Sequence, residues 1–249
     1  PSVSDGLCSV DPGSSSQVLV QGTVLTSDGP IRNATVAYNK SQTNAEISCV
    51  GCDCADQPDY ENATVVTCPD SVISPGLMNP HDHLGWATYG PYDGGMTRYS
   101  HRHEWRPGAN GKPSIDSPSG DFSRTSVLHG ELRHLMGGAT SIAGSTRGTT
   151  PQGLMRNLDT PQATGGVTSS VYYSTFPLGD TDGTMLTGSC DYRWSDSSNA
   201  LNNSIYLPHI SEGIDEAAQN EFSCTSSFEG DARDLIEDRT SIIHGVGMD

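Results

Sequence analysis

The spacing of hydrophobic and polar residues changes near residue 70. Upstream, the segment QVLVQGTVLTSDGPIRNATVAY (17–38) alternates apolar and polar residues around an Asp-Gly-Pro turn, which is the pattern of a β-hairpin. Shorter strands are predicted in AEISCV and ATVVTC. Together these strands make a small antiparallel unit that ends near Cys68 and is too small to be stable alone.

Downstream, the apolar residues form short runs without clean alternation, as in parallel strands that are buried on both faces. Two helical patterns lie between these runs, TSVLHGELRHLMGG with cap candidates at both ends and EGIDEAAQNEF. Strands that alternate with helices predict an α/β fold with a parallel sheet, open or closed into a barrel. The predicted strands are SVISPGLM, ATSIAGS, VTSSVYYSTF, SIYLPHI and SIIHGVG, and the predicted apolar helix faces are Leu128, Leu132, Leu135 and Met136, and Ile214, Ala217, Ala218 and Phe222.

Charge and hydropathy exclude two classes of partner. A net charge of −17, with 13 basic residues against 30 acidic ones, repels phosphate backbones, so no nucleic-acid partner is expected. No apolar run approaches the roughly 18 to 20 residues that cross a bilayer, so no membrane span is predicted.

The seven cysteines indicate the compartment. The run CVGCDC is compatible with a zinc-binding group, but disulfides in an oxidising compartment are the preferred interpretation. Cys190 and Cys224 flank one predicted strand and are predicted to be bonded. The start at Pro1 indicates a removed leader or a trimmed chain. We therefore expect a secreted, extracellular or periplasmic protein, with glycosylation sequons at Asn33, Asn39, Asn62 and Asn202.

The histidines carry the candidate chemistry. In SPGLMNPHDHLGW, His81 and His83 follow a predicted strand, and residues two apart on a strand project to the same side, so both imidazoles can share one metal ion. His209 ends a later strand and His244 lies in the next one. In a (β/α) barrel such strand ends meet at one face, where a single ion can collect them.

At this point the sequence resembles a known family. VISPGLMNPHDH is similar to the PGLID-x-H-x-H motif of the amidohydrolase superfamily, YLPHISEG to its fifth-strand histidine motif, and IIHGVG to its sixth. The resemblance implies a (β/α)8 TIM-type barrel, of which residues 71–249 hold strands one to six, preceded by a small N-terminal β-sandwich over residues 1–70. Since the barrel is incomplete in this chain, a second polypeptide or a C-terminal continuation is expected to complete it.

The resemblance also implies roles for the site residues. Two-metal members carry a bridging lysine, but Lys40 and Lys112 lie outside the predicted barrel strands, which favours one divalent ion held by His81, His83 and His209. Zinc is the first choice, and iron or manganese remain open.

The roles of Glu212 and His244 follow from the same comparison. His209-x-x-Glu212 is similar to the arrangement in cytosine deaminases, triazine chlorohydrolases and imidazolonepropionases, in which the glutamate moves protons. Its alternative role is that of a carboxylate at a helix N-terminus. His244 is predicted to orient water or polarise the substrate.

The sequence therefore predicts a secreted metal-dependent hydrolase that acts on a C–N bond of a cyclic amide, amidine or related small molecule. The alternative is a non-catalytic extracellular structural or assembly protein that retains the amidohydrolase fold. A homo-oligomer is compatible with either. His101 and His103 either face a substrate or act as loop scaffolding, His129 and His134 are expected to be structural, and Trp86 is expected to pack.

Overall fold

The fold is that of a computed structural model, which describes residues 3–4, 7–41, 46–115, 119–144, 154–159, 171–197 and 205–248. The chain divides into two compact units, Pro1–Gly76 and Leu77–Asp249. We refer to them as unit 1 and unit 2.

Unit 1 contains one mixed sheet of six strands in the order β1-β2-β6-β3-β4-β5. The predicted hairpin is confirmed: β3 and β4 pair antiparallel from Gln17↔Asn39 to Thr26↔Gly29. Leu19 and Ala37, which are opposite each other on the paired strands, are buried with Tyr60 and Ala63. The strands are Val3–Ser4 (β1), Ser9–Asp11 (β2), Gln17–Thr26 (β3), Gly29–Asn39 (β4), Ile47–Gly51 (β5) and Thr64–Ile73 (β6), with 3₁₀ turns at Asp53–Asp56 and Pro58–Tyr60.

Disulfides support both units. Cys8 is bonded to Cys68 and Cys49 to Cys54 in unit 1, and Cys190 is bonded to Cys224 in unit 2. Cys52 is free and exposed. Three disulfides fit a secreted or extracellular protein. None of the described helices combines the length and the apolar character needed to cross a membrane.

Unit 2 contains two short parallel sheets, in the orders β7-β8-β9 and β10-β11-β12. The parallel pairing is as the apolar runs predict. A hydrogen bond of 3.0 Å from Val171 N–H to Leu158 O links the start of β10 to the residue after β9. The strands are Leu77–Asn79 (β7), Ala139–Ile142 (β8), Arg156–Asn157 (β9), Val171–Ser174 (β10), Ile205–Ile210 (β11) and Ile243–His244 (β12).

The described part of unit 2 contains three α-helices. Ser123 caps α2 by accepting a hydrogen bond from Ser126 N–H, and Asp215 caps α3 in the same way. The predicted apolar face of α2 is wrong, because Leu132 and Met136 are 48% and 80% exposed, while the buried positions are Ser126, Val127, Gly130 and Glu131. The helices are Arg102–Trp105 (α1), Arg124–Met136 (α2) and Glu216–Thr225 (α3), with 3₁₀ turns at Leu84–Trp86 and Ala109–Gly111.

The predicted (β/α)8 TIM-type barrel is also wrong. Helices make up 19% and strands 30% of the described residues, a β-rich composition that does not fit a helix-rich barrel. The segment after β10 shows one physical reason: Gly179, Gly183 and Gly188 have φ of 75°, 91° and 74°, a left-handed conformation that interrupts helices. The described residues do not form such a barrel, and the second polypeptide that was expected to complete it stays a prediction.

Two apolar clusters support the strand ends of unit 2. Leu84, which directly follows His83, is fully buried with Val127, Ala139, Ile142 and Met155. A second cluster joins β10, β11 and β12 through Val171, Leu207 and Ile243. The two clusters anchor the segments that carry the histidines described below.

Candidate metal centre

His81 and His83 lie in the loop that follows β7. The loop is bonded to the end of β8, because Asp82 N–H donates to Ala143 O and Leu84 N–H donates to Gly144 O, both at 3.0 Å. At its start, His81 N–H donates to the Asn79 side chain at 3.2 Å. Local backbone bonding, together with burial of Leu84, therefore positions the two histidines.

His209 and His244 come from neighbouring parallel strands. In the β11–β12 register His209 pairs with Ile243, and Ile210 pairs with His244, so both histidines lie at the same end of the sheet. His209 is buried, and its Nδ1 lies 3.1 Å from Ser174 O at the end of β10. His244 is more exposed and has a left-handed φ of 73°.

The four imidazoles meet, and we call them the histidine cluster. The Nε2 atom of His81 lies 3.1 Å from that of His83 and 3.0 Å from that of His209. The His244 ring centroid lies 5.5 Å from that of His81 and 5.2 Å from that of His209. Ligand atoms of His81, His209 and His244 all fall within 4.8 Å of one another. This grouping differs from the predicted ligand set, which contained His83 in place of His244.

The donor chemistry of the cluster suits a cation. Burial, with the neighbouring His81 and His244, lowers the pKa of His209 to about 3, so this ring is neutral at pH 7. A carbonyl oxygen only accepts, so the contact with Ser174 O places the His209 proton on Nδ1 and leaves an Nε2 lone pair facing the cluster. Two nitrogens bound to one tetrahedral zinc at 2.0–2.1 Å are about 3.3 Å apart, close to the two Nε2 separations.

Glu212 lies beside the cluster. Its Oε2 is 3.4 Å from His244 Nε2, and its own carbonyl accepts a hydrogen bond of 2.9 Å from Arg102 N–H. Burial raises the pKa of the Glu212 carboxyl, and the charge of Arg102 opposes this effect. Because α3 begins at Glu216 and is capped by Asp215, Glu212 is not in the first turn of that helix.

Behind the cluster lies a buried ion network of five residues: His101, Arg102, His103, Asp180 and Glu221. The Arg102 guanidinium pairs with Asp180 and lies 3.6 Å from Glu221 Oε1. His103 Nε2 lies 2.6 Å from Asp180 Oδ2, and His101 Nε2 lies 3.2 Å from Glu221 Oε1. Sequence reasoning left both histidines undecided and missed the two carboxylates, whose partners are far apart in the chain.

This network also brings three potential ligands together, His101, His103 and Glu221. Its chemistry is less suited to a cation. His101 Nδ1 accepts a hydrogen bond of 3.2 Å from His103 N–H, so a neutral His101 carries its proton on Nε2, the atom that faces Glu221. The Arg102 guanidinium also lies against the same Glu221 oxygen. We therefore describe the group as an ion network.

The other residues named from the sequence have varied surroundings. His134 contacts the loop, with its Nε2 3.0 Å from Asp82 Oδ2, whereas His129 is exposed. Trp86 packs edge-to-face on Phe122, with ring centroids 5.1 Å apart. Of the four sequons, Asn202 lies outside the described residues.

No family model matches the sequence, and no curated protein matches it either.

Proposed function

We propose that the protein is a secreted, metal-dependent hydrolase that cleaves a C–N bond in a cyclic amide, an amidine or a related small molecule. The observation that carries the proposal is that the Nε2 atom of His81 lies 3.1 Å from that of His83 and 3.0 Å from that of His209. Neutral imidazoles whose lone pairs converge are the ligands that zinc prefers, and iron also accepts them.

The residues of the candidate centre have separate roles in this proposal. His81, His83 and His209 would hold the ion, and Ser174 O fixes the His209 ring through Nδ1. A bound divalent ion supplies one thing, which is to bring the pKa of water towards neutrality. His244, between the other imidazoles and Glu212, orients the water or polarises the carbon that is attacked.

Glu212 moves the proton. It accepts a proton from the attacking water and returns it to the leaving nitrogen, so the new C–O bond forms as the C–N bond breaks and the amine leaves protonated. The raised pKa of its half-buried carboxyl makes the carboxylate a stronger base for this transfer.

Elemental analysis of protein never exposed to chelator tests the metal, with about one transition-metal ion per chain expected. Turnover is then measured on lactams, cyclic imides and ring amidines. Glu212→Gln is expected to keep the metal and the fold but to lose about two to four orders of magnitude in rate. Glu216→Gln, an exposed carboxyl four residues later, is the matched control and is expected to retain the rate.

Two outcomes contradict parts of the proposal. Near-normal turnover of Glu212→Gln would remove the proton-transfer role. Native protein that contains no metal and hydrolyses none of the compounds would favour the rival, a non-catalytic extracellular structural or assembly protein.

A further inference from the structure

One buried residue contacts both ends of the His209-x-x-Glu212 segment, one end through its side chain and the other through its backbone. Arg102 is 1% exposed, and its Nη1 donates to Thr175 O at 2.9 Å and to His209 O at 3.5 Å. Its backbone N–H donates to Glu212 O at 2.9 Å. Arg102 is therefore bonded to the main chain of a proposed ligand and to that of the proposed proton carrier.

The turn between these two residues is supported from α3. Ser211 has a left-handed φ of 56°, which is unfavourable for a residue with a side chain. Its N–H donates to Glu221 Oε2 at 2.9 Å, and its hydroxyl donates to Ala218 O at 2.7 Å. Since Glu221 also lies beside the guanidinium of Arg102, one carboxylate connects the turn to the arginine.

Asp180 holds the guanidinium from the other side. Burial raises the pKa of Asp180, but the hydrogen bond with His103 and the charge of Arg102 outweigh it, and the pKa lies below its ordinary value. The carboxylate therefore stays charged at neutral pH and remains a full partner for Arg102. A guanidinium can serve two carboxylates and two carbonyls because it has five donors in a fixed plane, which an ammonium group lacks.

We infer that Arg102 is a positioning residue: supported by Asp180 and Glu221, it sets the relative placement of His209 and Glu212. This inference rests on the proposed function, because the placement matters when both residues act at one metal ion. Outer groups that orient metal ligands affect metal affinity by about 10- to 100-fold.

The test compares Arg102→Lys and Asp180→Asn with the unmodified protein. Asp182→Asn is the matched control, because Asp182 lies two residues from Asp180 in an ion pair with Arg193 whose side chains are 43% and 82% exposed. Co²⁺ is titrated into metal-free protein and followed by its visible absorption. We expect about 10- to 100-fold weaker binding and an altered spectrum in Arg102→Lys and Asp180→Asn, and no change in Asp182→Asn.

A second measurement needs no metal. The His209 Nδ1–H proton, shielded by Ser174 O, is expected to give a slowly exchanging imidazole NMR signal. Arg102→Lys and Asp180→Asn should lose or shift this signal, while Asp182→Asn should retain it. Thermal melting checks that each variant is folded, and Asp180→Asn, which conserves shape, serves if Arg102→Lys does not fold.

The two measurements separate the inference from the proposed function. If the unmodified protein binds no Co²⁺, the proposed function fails, and the imidazole signal still decides the role of Arg102. A folded Arg102→Lys variant with an unchanged signal and unchanged Co²⁺ affinity would overturn the inference.

Discussion

Replacing Cys190 and Cys224 together with alanine is expected to destabilise unit 2 by about 3.8 kcal/mol. The bond joins residues 34 apart, and the enclosed loop contains β11 and α3 up to Cys224, and with them His209, Glu212 and Glu221. In the chain-entropy model, the disulfide stabilises the fold by restricting this loop in the unfolded chain. A separation of 34 residues gives a stabilisation of about 3.8 kcal/mol. Peptide mapping without reduction first establishes the bond in the starting protein.

The assay is urea unfolding followed by tryptophan fluorescence. Trp86, Trp105 and Trp194 are the three tryptophans of the chain, and all lie in unit 2, so the signal reports on that unit. The control removes the Cys49–Cys54 bond of unit 1, for which the model gives about 2 kcal/mol and which should leave the fluorescence transition in place. A loss below about 1 kcal/mol on removing the Cys190–Cys224 bond would refute the loop argument.

Three further predictions concern the centre and its support. Zinc at about 100 times its dissociation constant adds about 2.7 kcal/mol, so it should raise the thermal midpoint of the unmodified chain and of His129→Asn, but not of His209→Asn. In metal-free protein, stability should fall as the pH drops from 6.5 towards about 3, because the unfolded chain takes up a proton that buried His209 does not. The slope is about 1.4 kcal/mol per pH unit, and urea unfolding above and below pH 6.5 measures it; a flat profile would contradict it. Leu84→Ala, at a fully buried position, should cost about 2 to 5 kcal/mol in urea unfolding, against about 0.5 kcal/mol or less for Leu132→Ala, which is 48% exposed.

Sequence reasoning succeeded where a feature is carried by consecutive residues. The alternation over residues 17–38 predicted the hairpin, and the apolar runs predicted strands that pair in parallel. It failed where a feature depends on the segments that connect the strands. The barrel required a helix after most strands, but the segment after β10 turns through left-handed glycines.

The candidate centre shows the same division. His81 and His83 were predicted from their spacing, His209 from its place at the end of a predicted strand, and Glu212 from the resemblance to the amidohydrolase motifs. The support of the centre was missed, because Arg102 and Asp180 are 78 residues apart, and Arg102 and His209 are 107 apart. The only local indication was a run of charged and imidazole groups, His101 to Glu104, without an apolar period.

The sequence by itself determined which residues can form strands and helices and which side chains can bind a metal, since both depend on residue type and short spacing. Only the tertiary structure decided which of them meet. It brought His81 to His209 across 128 residues, and it buried Arg102 with two carboxylates. The physical reason is that the free energy of a buried charged or polar group depends on which partners are removed from water with it. Packing between segments that are distant in the chain decides which partners those are.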